Sequence, residues 1–393
     1  MLKITYTTVV NENYRPYLDL LIKSHQMFSR IDLTVYTVNF EIKNNKYNNV
    51  NFVELIDKNL LEFDITGKNK YIKNEYEKHK YTTLLKSKVL KKVSDLYDYY
   101  FFIDADGLLT KNSDTLVINT INEFGFCKFP ISVKYFHQYS TTHNPTENIF
   151  NENGDCNPKS LGYYPLIELY NTEFSVIDYL TTYCVYYTKE CIDFLDEVEK
   201  ICFDDNVIID YKKFLPLGDE TVFNYLYSKY NFNKFISGFL CYNVSPFLRI
   251  EDSLNNLKRI NPFVSFIHTK RYVYESPEEK KFDKLNTDEY NQLFEVLLSN
   301  DVLSSTINVL SFNKENDVET LVFNPNETYD GHYKVYIVSL FRPNEQHFYT
   351  LNLNHNNNYF LRKNNDGTWI KDLYLVVVEN DFNQKITDCI KLT

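Results

Sequence analysis

At 393 residues, 44% hydrophobic and 24% charged, the chain has the make-up of a globular protein with room for one large domain and a smaller one. A net charge of −11 speaks against a protein that grips nucleic-acid backbone, which needs clustered Lys and Arg. The seven cysteines are odd in number and form no C-x-x-C pair, so they define no disulfide or metal framework and fit reduced thiols inside a cell.

The start, "MLKITYTTVV", enters a strand pattern with no charged-then-apolar leader, and no apolar run reaches the roughly 18 residues of a membrane span. The expected setting is therefore cytoplasmic and soluble. Aromatic residues make up 17%, which suits either stacking surfaces or the ordinary drift of a chain also rich in Asn, Lys and Ile.

The first hundred residues alternate strand and helix patterns. "KITYTTVV" is β-branched, and "YRPYLDLLIKSHQMF" follows with Pro16 in a first helical turn and Leu18, Leu21, Ile22 and Phe28 on one face. "IDLTVYTV" and "NVNFVEL" read as strands. "YTTLLKSKVLKKVSDL" reads as a helix with Leu84, Leu85, Val89 and Val93 apolar, leading into the strand "YDYYFFIDADG". This order predicts a mostly parallel sheet covered by helices, with ligands beyond the C-terminal ends of its strands.

Residues 134–179 then form a polar, Tyr-rich stretch, either a binding loop or a surface excursion. A strand in "TTYCVYYT", an amphipathic helix in "KECIDFLDEVEKIC" and a turn-to-helix in "LPLGDETVFNYLYSKYNF" follow. "NTDEYNQLFEVLLSN" is a helix whose Asn286 and Glu289 resemble a capping box, with Tyr290, Leu293, Phe294, Leu297 and Leu298 at helical spacing. Beyond residue 305 come strands: "INVLSF", "ETLVFN", "HYKVYIVSLF", "HFYTLNLN", "NYFLRK" and "TWIKDLYLVVVEN", divided by turn signals. The expected division is an α/β domain over 1–280, a linker helix over 281–304 and a small β-sandwich-like domain over 305–393.

Four constellations carry chemistry. Asp104 and Asp106 end a hydrophobic strand just before Gly107. Paired carboxylates there can hold one divalent cation such as Mg²⁺ or Mn²⁺, whereas a plain surface turn would use the same residues. His268 ends the apolar run "FVSFIH", with Lys270 and Arg271 behind it. Its imidazole is either structural or a further metal ligand that favours Mn²⁺, and the two cations suit a departing diphosphate. Asp219 and Glu220 follow a Gly turn, where acids either cap a helix or face a cleft as a base. Lys86 lies on a helix before the D-x-D strand, on a solvated face or within reach of a ligand.

The succession "TTLLKSKVL", "YYFFIDADG", "GDETVFN" and "FIHTKR" resembles the metal-dependent GT-A glycosyltransferases over roughly residues 1–275. The resemblance implies a GT-A (Rossmann-like) mixed sheet and transfer of a sugar, in hexosyltransferase fashion, from a nucleotide-diphosphate sugar, a UDP-sugar first, to a hydroxyl of a glycan or other acceptor. It implies Asp106 as metal ligand, Asp104 on the ribose or metal, and His268 as a late metal-binding His. Tyr6, Thr7 and Thr8 would cradle the base, Lys86, Lys270 and Arg271 the donor, and Asp219 or Glu220 would act as base or position the sugars, with retention slightly favoured. Thr269, Lys270 and Arg271 stand where some branches have Gly and a Lys-Pro pair. A non-catalytic carbohydrate-binding protein and a metal-dependent nucleotidyltransferase are the competing readings.

Overall fold

The computed structural model describes residues 2–42, 47–135, 162–175, 182–232, 234–243, 254, 257, 264–269, 271–276, 279–283, 287–298 and seven strands between 307 and 391. They divide into two compact units: Met1–Ile236 with Phe266–His268, and Ser237–Ser265 with Thr269–Thr393.

In the first unit, β1 (Ile4–Asn11), β2 (Asp32–Val38), β3 (Val50–Leu55) and β4 (Tyr99–Ile103) lie in the order β3-β2-β1-β4, all parallel. Helix α1 (Arg15–Phe28) connects β1 to β2, while α2 (Lys58–Thr66) and α3 (Glu75–Ser94) lie between β3 and β4 in the chain. After the D-x-D motif come β5 (Gly107–Leu109), α4 (Ser113–Phe124), β6 (Ile131–Tyr135), α5 (Tyr164–Tyr170) and β7 (Cys184–Thr188). β7 adds antiparallel to β4, and β6 antiparallel to β7, so the sheet is mixed but mostly parallel. Helices α6 (Ile192–Cys202), α7 (Asp205–Ile208), α8 (Tyr211–Phe214) and α9 (Asp219–Lys229) follow; β8 (Phe235–Asn243) leaves the first unit after Ile236, and β9 (Val264–His268) returns to it at Phe266. β9 pairs antiparallel with β5 over Phe266–His268.

The alternation of β4 decides its packing. Tyr100 and Phe102 join the core that also takes Leu84, Leu85, Val89 and Val93 of α3, Phe194 and Leu195 of α6, and Val222 and Phe223 of α9. Phe101 packs on Tyr6 of β1, Tyr186 of β7 and Phe266 of β9. All five residues of β4 are buried, as expected of a strand covered on both faces. Much of the aromatic content is spent here: the cross-strand pair Tyr100 and Tyr187 stacks at 5.1 Å, an arrangement that stabilises beyond area burial alone. Helix α3 starts where Asn74 accepts a hydrogen bond from Glu77 N at 2.9 Å, with acids in its first turn and Lys91 and Lys92 in its last.

Helices α2 and α4 and strands β5 and β6 go beyond the sequence reading. Helix α2 is signalled by Asp57, which accepts from Asn59 N and Leu60 N, and by Gly67 at its end. The stretch after Gly107 is a strand because Leu108 and Leu109 are buried against β9 and α1.

The second unit contains the hairpin Arg271–Ser276 with Glu279–Asp283 and a helix over Thr287–Leu298. Tyr290, Leu293, Phe294 and Leu297 are buried there, as the spacing predicts, whereas Leu298 is 57% exposed at the last turn; Asn286 lies outside the described residues. Beyond it are two antiparallel sheets, of three strands (Ile307–Glu315, Val318–Pro325, Tyr359–Lys363) and four (Gly331–Ser339, Gln346–Leu353, Leu373–Asn380, Lys385–Lys391). This is the all-β make-up expected of the C-terminal part, with Lys385–Lys391 one strand more than the pattern showed.

Gly218 enters α9 at φ +68°, a left-handed backbone, and a Cβ there would press on Thr83 Oγ1 of α3. Gly218→Ala is therefore expected to lower stability by about 1–3 kcal/mol, read from the midpoint of urea unfolding; an unchanged midpoint would contradict this account of the turn.

Candidate functional site

β4 ends in a tight turn. Gly107 N donates to Asp104 O at 2.8 Å, and Asp104 N donates to Tyr183 O at 2.9 Å. The turn reverses the chain from β4 into β5, and Gly is the residue that fits it. A Cβ on Gly107 would stand 2.5 Å from Ile103 Cγ2 and 3.0 Å from the Asp104 carbonyl. Pairing of Gly107 with His268 then brings the end of β9 beside the turn.

The result is a cluster. Asp104, Asp106 and His268 each offer a ligand atom, and these atoms lie within 4.8 Å of one another. Asp106 is 3% exposed and His268 7%, with His268 Nε2 at 3.3 Å from Asp106 Oδ1. His268 Nδ1 is buried and has no hydrogen-bond partner among the described residues. A half-buried carboxylate, a buried carboxylate and a buried imidazole fit a divalent cation with mixed oxygen and nitrogen ligands. Among the described residues this is the one group of three such side chains.

Lys86 joins the site from α3. Its Nζ is 2.7 Å from Asp104 Oδ1 and 3.5 Å from Asp219 Oδ2, and lies over the Phe102 ring, 4.9 Å from its centroid. This lysine is thus not on a solvated face. Burial disfavours its charge, but Asp104 and Asp219 outweigh burial and hold the ammonium well above its ordinary range. Asp219 shows the opposite balance. Burial raises its carboxyl above the ordinary 3.8, although Lys86 pulls it down.

Neither Asp219 nor Glu220 caps α9: Gly218 stands at the cap with no side-chain bond. Glu220 instead accepts from Thr182 N at 3.2 Å. Both acids are tied to the chain around the cluster.

Tyr6, Thr7 and Thr8 sit in mid-strand, since β1 continues to Asn11. The Tyr6 hydroxyl donates to Asp114 Oδ1 at 3.0 Å. Thr7 Oγ1 and Thr8 Oγ1 are buried without a hydrogen-bond partner among the described residues. The actual C-terminal end of β1 carries Asn11, whose Oδ1 is likewise buried and unpartnered; the run "TTVVN" hid it because the strand outlasts its threonines. Lys270 and most of 134–179 lie outside the described residues, as does the side chain of Arg271, which begins a strand. Tyr183, on the final approach to β7, was also missed. Its ring centroid is 4.4 Å from that of His268.

Replacing Lys86 by Met would leave Asp104 and Asp219 without their shared cation. A loss of about 3 kcal/mol is expected for a broken pair at this depth, measured by urea unfolding; a loss below about 1 kcal/mol would mean that the pair is loosely held. The raised carboxyl of Asp219 also sets a sign. The folded chain keeps that proton at pH values where the unfolded chain has lost it, so the stabilisation is complete below the unfolded value of 3.8 and fades as pH rises through the higher folded value. Asp219→Asn should therefore flatten the fall of stability above that point in metal-free protein, followed by unfolding curves across pH.

No family model matches this chain, and no curated protein matches it. Among solved structures it is similar to mouse xyloside xylosyltransferase 1 in its apo form, at 10% identity over 68% of this chain and 97% of that one, with a TM-score of 0.38. It is also similar to a glycosyltransferase involved in glycosylation of the major capsid of PBCV-1, at 8% identity over 67% of this chain and 92% of that one, TM-score 0.33. A third is S. aureus TarS 1-349, at 14% identity over 57% of this chain and 56% of that one, TM-score 0.29. Among the described residues no helix is long and apolar enough to cross a membrane.

Proposed function

We propose that this protein is a metal-dependent glycosyltransferase that moves a sugar from a nucleotide-diphosphate sugar to an acceptor hydroxyl. The observation that carries the reading is the set of Asp104, Asp106 and His268 at the C-terminal end of β4, half-buried at Asp104 and buried at the other two, with ligand atoms within 4.8 Å. Parallel strands end at this edge, where α/β sheets bind ligands.

In this reading Asp104, Asp106 and His268 hold Mn²⁺ or Mg²⁺. When bound, the cation supplies positive charge to a diphosphate leaving group, whose negative charge grows as the glycosyl bond breaks. Lys86 keeps Asp104 aimed at the site by its 2.7 Å ion pair. Lys270 and Arg271, which follow His268 closely in the chain, would add charge for the same diphosphate. Asn11, ending β1 with an oxygen that has no partner among the described residues, offers a polar contact to the nucleoside, with Thr7 and Thr8 behind it.

Asp219 and Glu220 are engaged by Lys86 and Thr182 N. Such ties suit residues that position sugars better than a free general base, which supports retention of configuration over inversion. The acceptor falls to 134–179 on sequence grounds, where tyrosines could stack on sugar faces.

The test is release of nucleoside diphosphate from a panel of nucleotide sugars, UDP-sugars first, with Mn²⁺ present. One donor is expected to be hydrolysed or transferred. Asp106→Asn should slow that reaction by about 10²-fold or more, and a chelator should stop it. Turnover of a donor at an unchanged rate in Asp106→Asn would overturn the reading, as would failure of every donor to bind.

A further inference from the structure

A histidine that ligates a metal is normally oriented through its second ring nitrogen, which donates to a carboxylate, a carbonyl or water. His268 departs from this. Its Nε2 faces Asp106 at 3.3 Å, on the side of the carboxylates, while Nδ1 is buried with no hydrogen-bond partner among the described residues. Among the described residues, the ring is held by packing and not by a hydrogen bond at Nδ1.

Tyr183 is placed to hold it. It is 3% exposed, and its ring lies against the imidazole with centroids 4.4 Å apart and planes inclined at 47°. The same residue accepts from Asp104 N through its carbonyl at 2.9 Å, and its ring edge comes within 3.7 Å of where a Cβ on Gly107 would be. One residue therefore touches both halves of the cluster: the turn that carries the aspartates and the ring that completes them. Its own backbone is fixed because Cys184, the next residue, pairs with Ile103 at the end of β4.

We propose that Tyr183 is the positioning residue of the metal-binding histidine, its aromatic face packed on the imidazole and holding the ring toward Asp106. The inference rests on the metal reading above. A metal-bound imidazole gains partial positive charge, which the negative face of an aromatic ring stabilises. The ring also blocks rotation of the imidazole away from Asp106. Neither contribution needs the phenol oxygen, so the ring and not the hydroxyl should matter.

The experiment titrates the full-length protein with Mn²⁺ and follows the free-ion electron paramagnetic resonance signal, beside thermal melts of the metal-free proteins. Tyr183→Phe should bind Mn²⁺ within about twofold of wild type, and Tyr183→Leu about tenfold or more weakly, in the range found when a ligand loses its outer support. Tyr183→Met, closer in volume, serves if the leucine variant does not fold and should weaken binding likewise. Tyr186→Leu is the control, because Tyr186 is a buried β7 residue that stacks on Tyr99 and packs at a tilt against Phe101; it should melt lower yet keep its Mn²⁺ affinity. Unchanged affinity in Tyr183→Leu or Tyr183→Met overturns the proposal, as does an equal loss in Tyr183→Phe or in Tyr186→Leu. If the wild type does not bind Mn²⁺, or Asp106→Asn binds it equally well, the metal reading has failed and the proposal falls with it.

Discussion

Concentrating acids in a dry place is the constraint around which this site is built. Asp106 and Asp219 are each 3% exposed, and carboxylates at that depth are stable only with positive charge or donors beside them. Lys86 answers part of the demand by contacting Asp104 and Asp219 together. Asp106 turns to His268 instead. A dication among Asp104, Asp106 and His268 would answer the rest, and the same charge is what a departing diphosphate needs. Under the proposed function, the electrostatics that stabilise the folded site and those that would serve the reaction are one arrangement.

The fold supplies the geometry from distant parts of the chain. β4 is buried on both faces, so its end is a rigid platform for the Asp104–Gly107 turn. Short pairing of β5 with β9 delivers His268 across that turn, and α3 lays Lys86 over Phe102. Gly218 lets α9 start close against Thr83, which sets Asp219 beside the same lysine. Two glycines, one at the turn and one at the helix start, permit approaches that a side chain would block.

Much of the first unit was legible because its signals are local. Hydrophobic runs gave β1 to β4 and β7, spacing gave α1, α3, α6 and α9, and a D-x-D after a buried strand pointed to the cluster that His268 completes. Contacts made by long side chains across the fold were not legible. Lys86 could be placed on a helix, but only packing of α3 on β4 shows its ammonium between two carboxylates. Tyr183 looks like any aromatic at a strand start until β9 lies beside it. The strand pattern "KITYTTVV" reaches Val10, but the base-cradling role was placed on Tyr6, Thr7 and Thr8, short of the strand's polar end at Asn11. In the all-β part, the strand Lys385–Lys391 escaped notice because Asp388 falls at a position that shares a face with Ile386 and Ile390, blurring the two-residue period.

The most direct measurement is diffraction from crystals grown with Mn²⁺ and a nucleoside diphosphate, recorded at the manganese absorption edge. The account predicts one anomalous peak within coordination distance of Asp104, Asp106 and His268, touching the diphosphate on its open side. A diphosphate bound with no anomalous peak there, or a peak ligated by other residues, would contradict it.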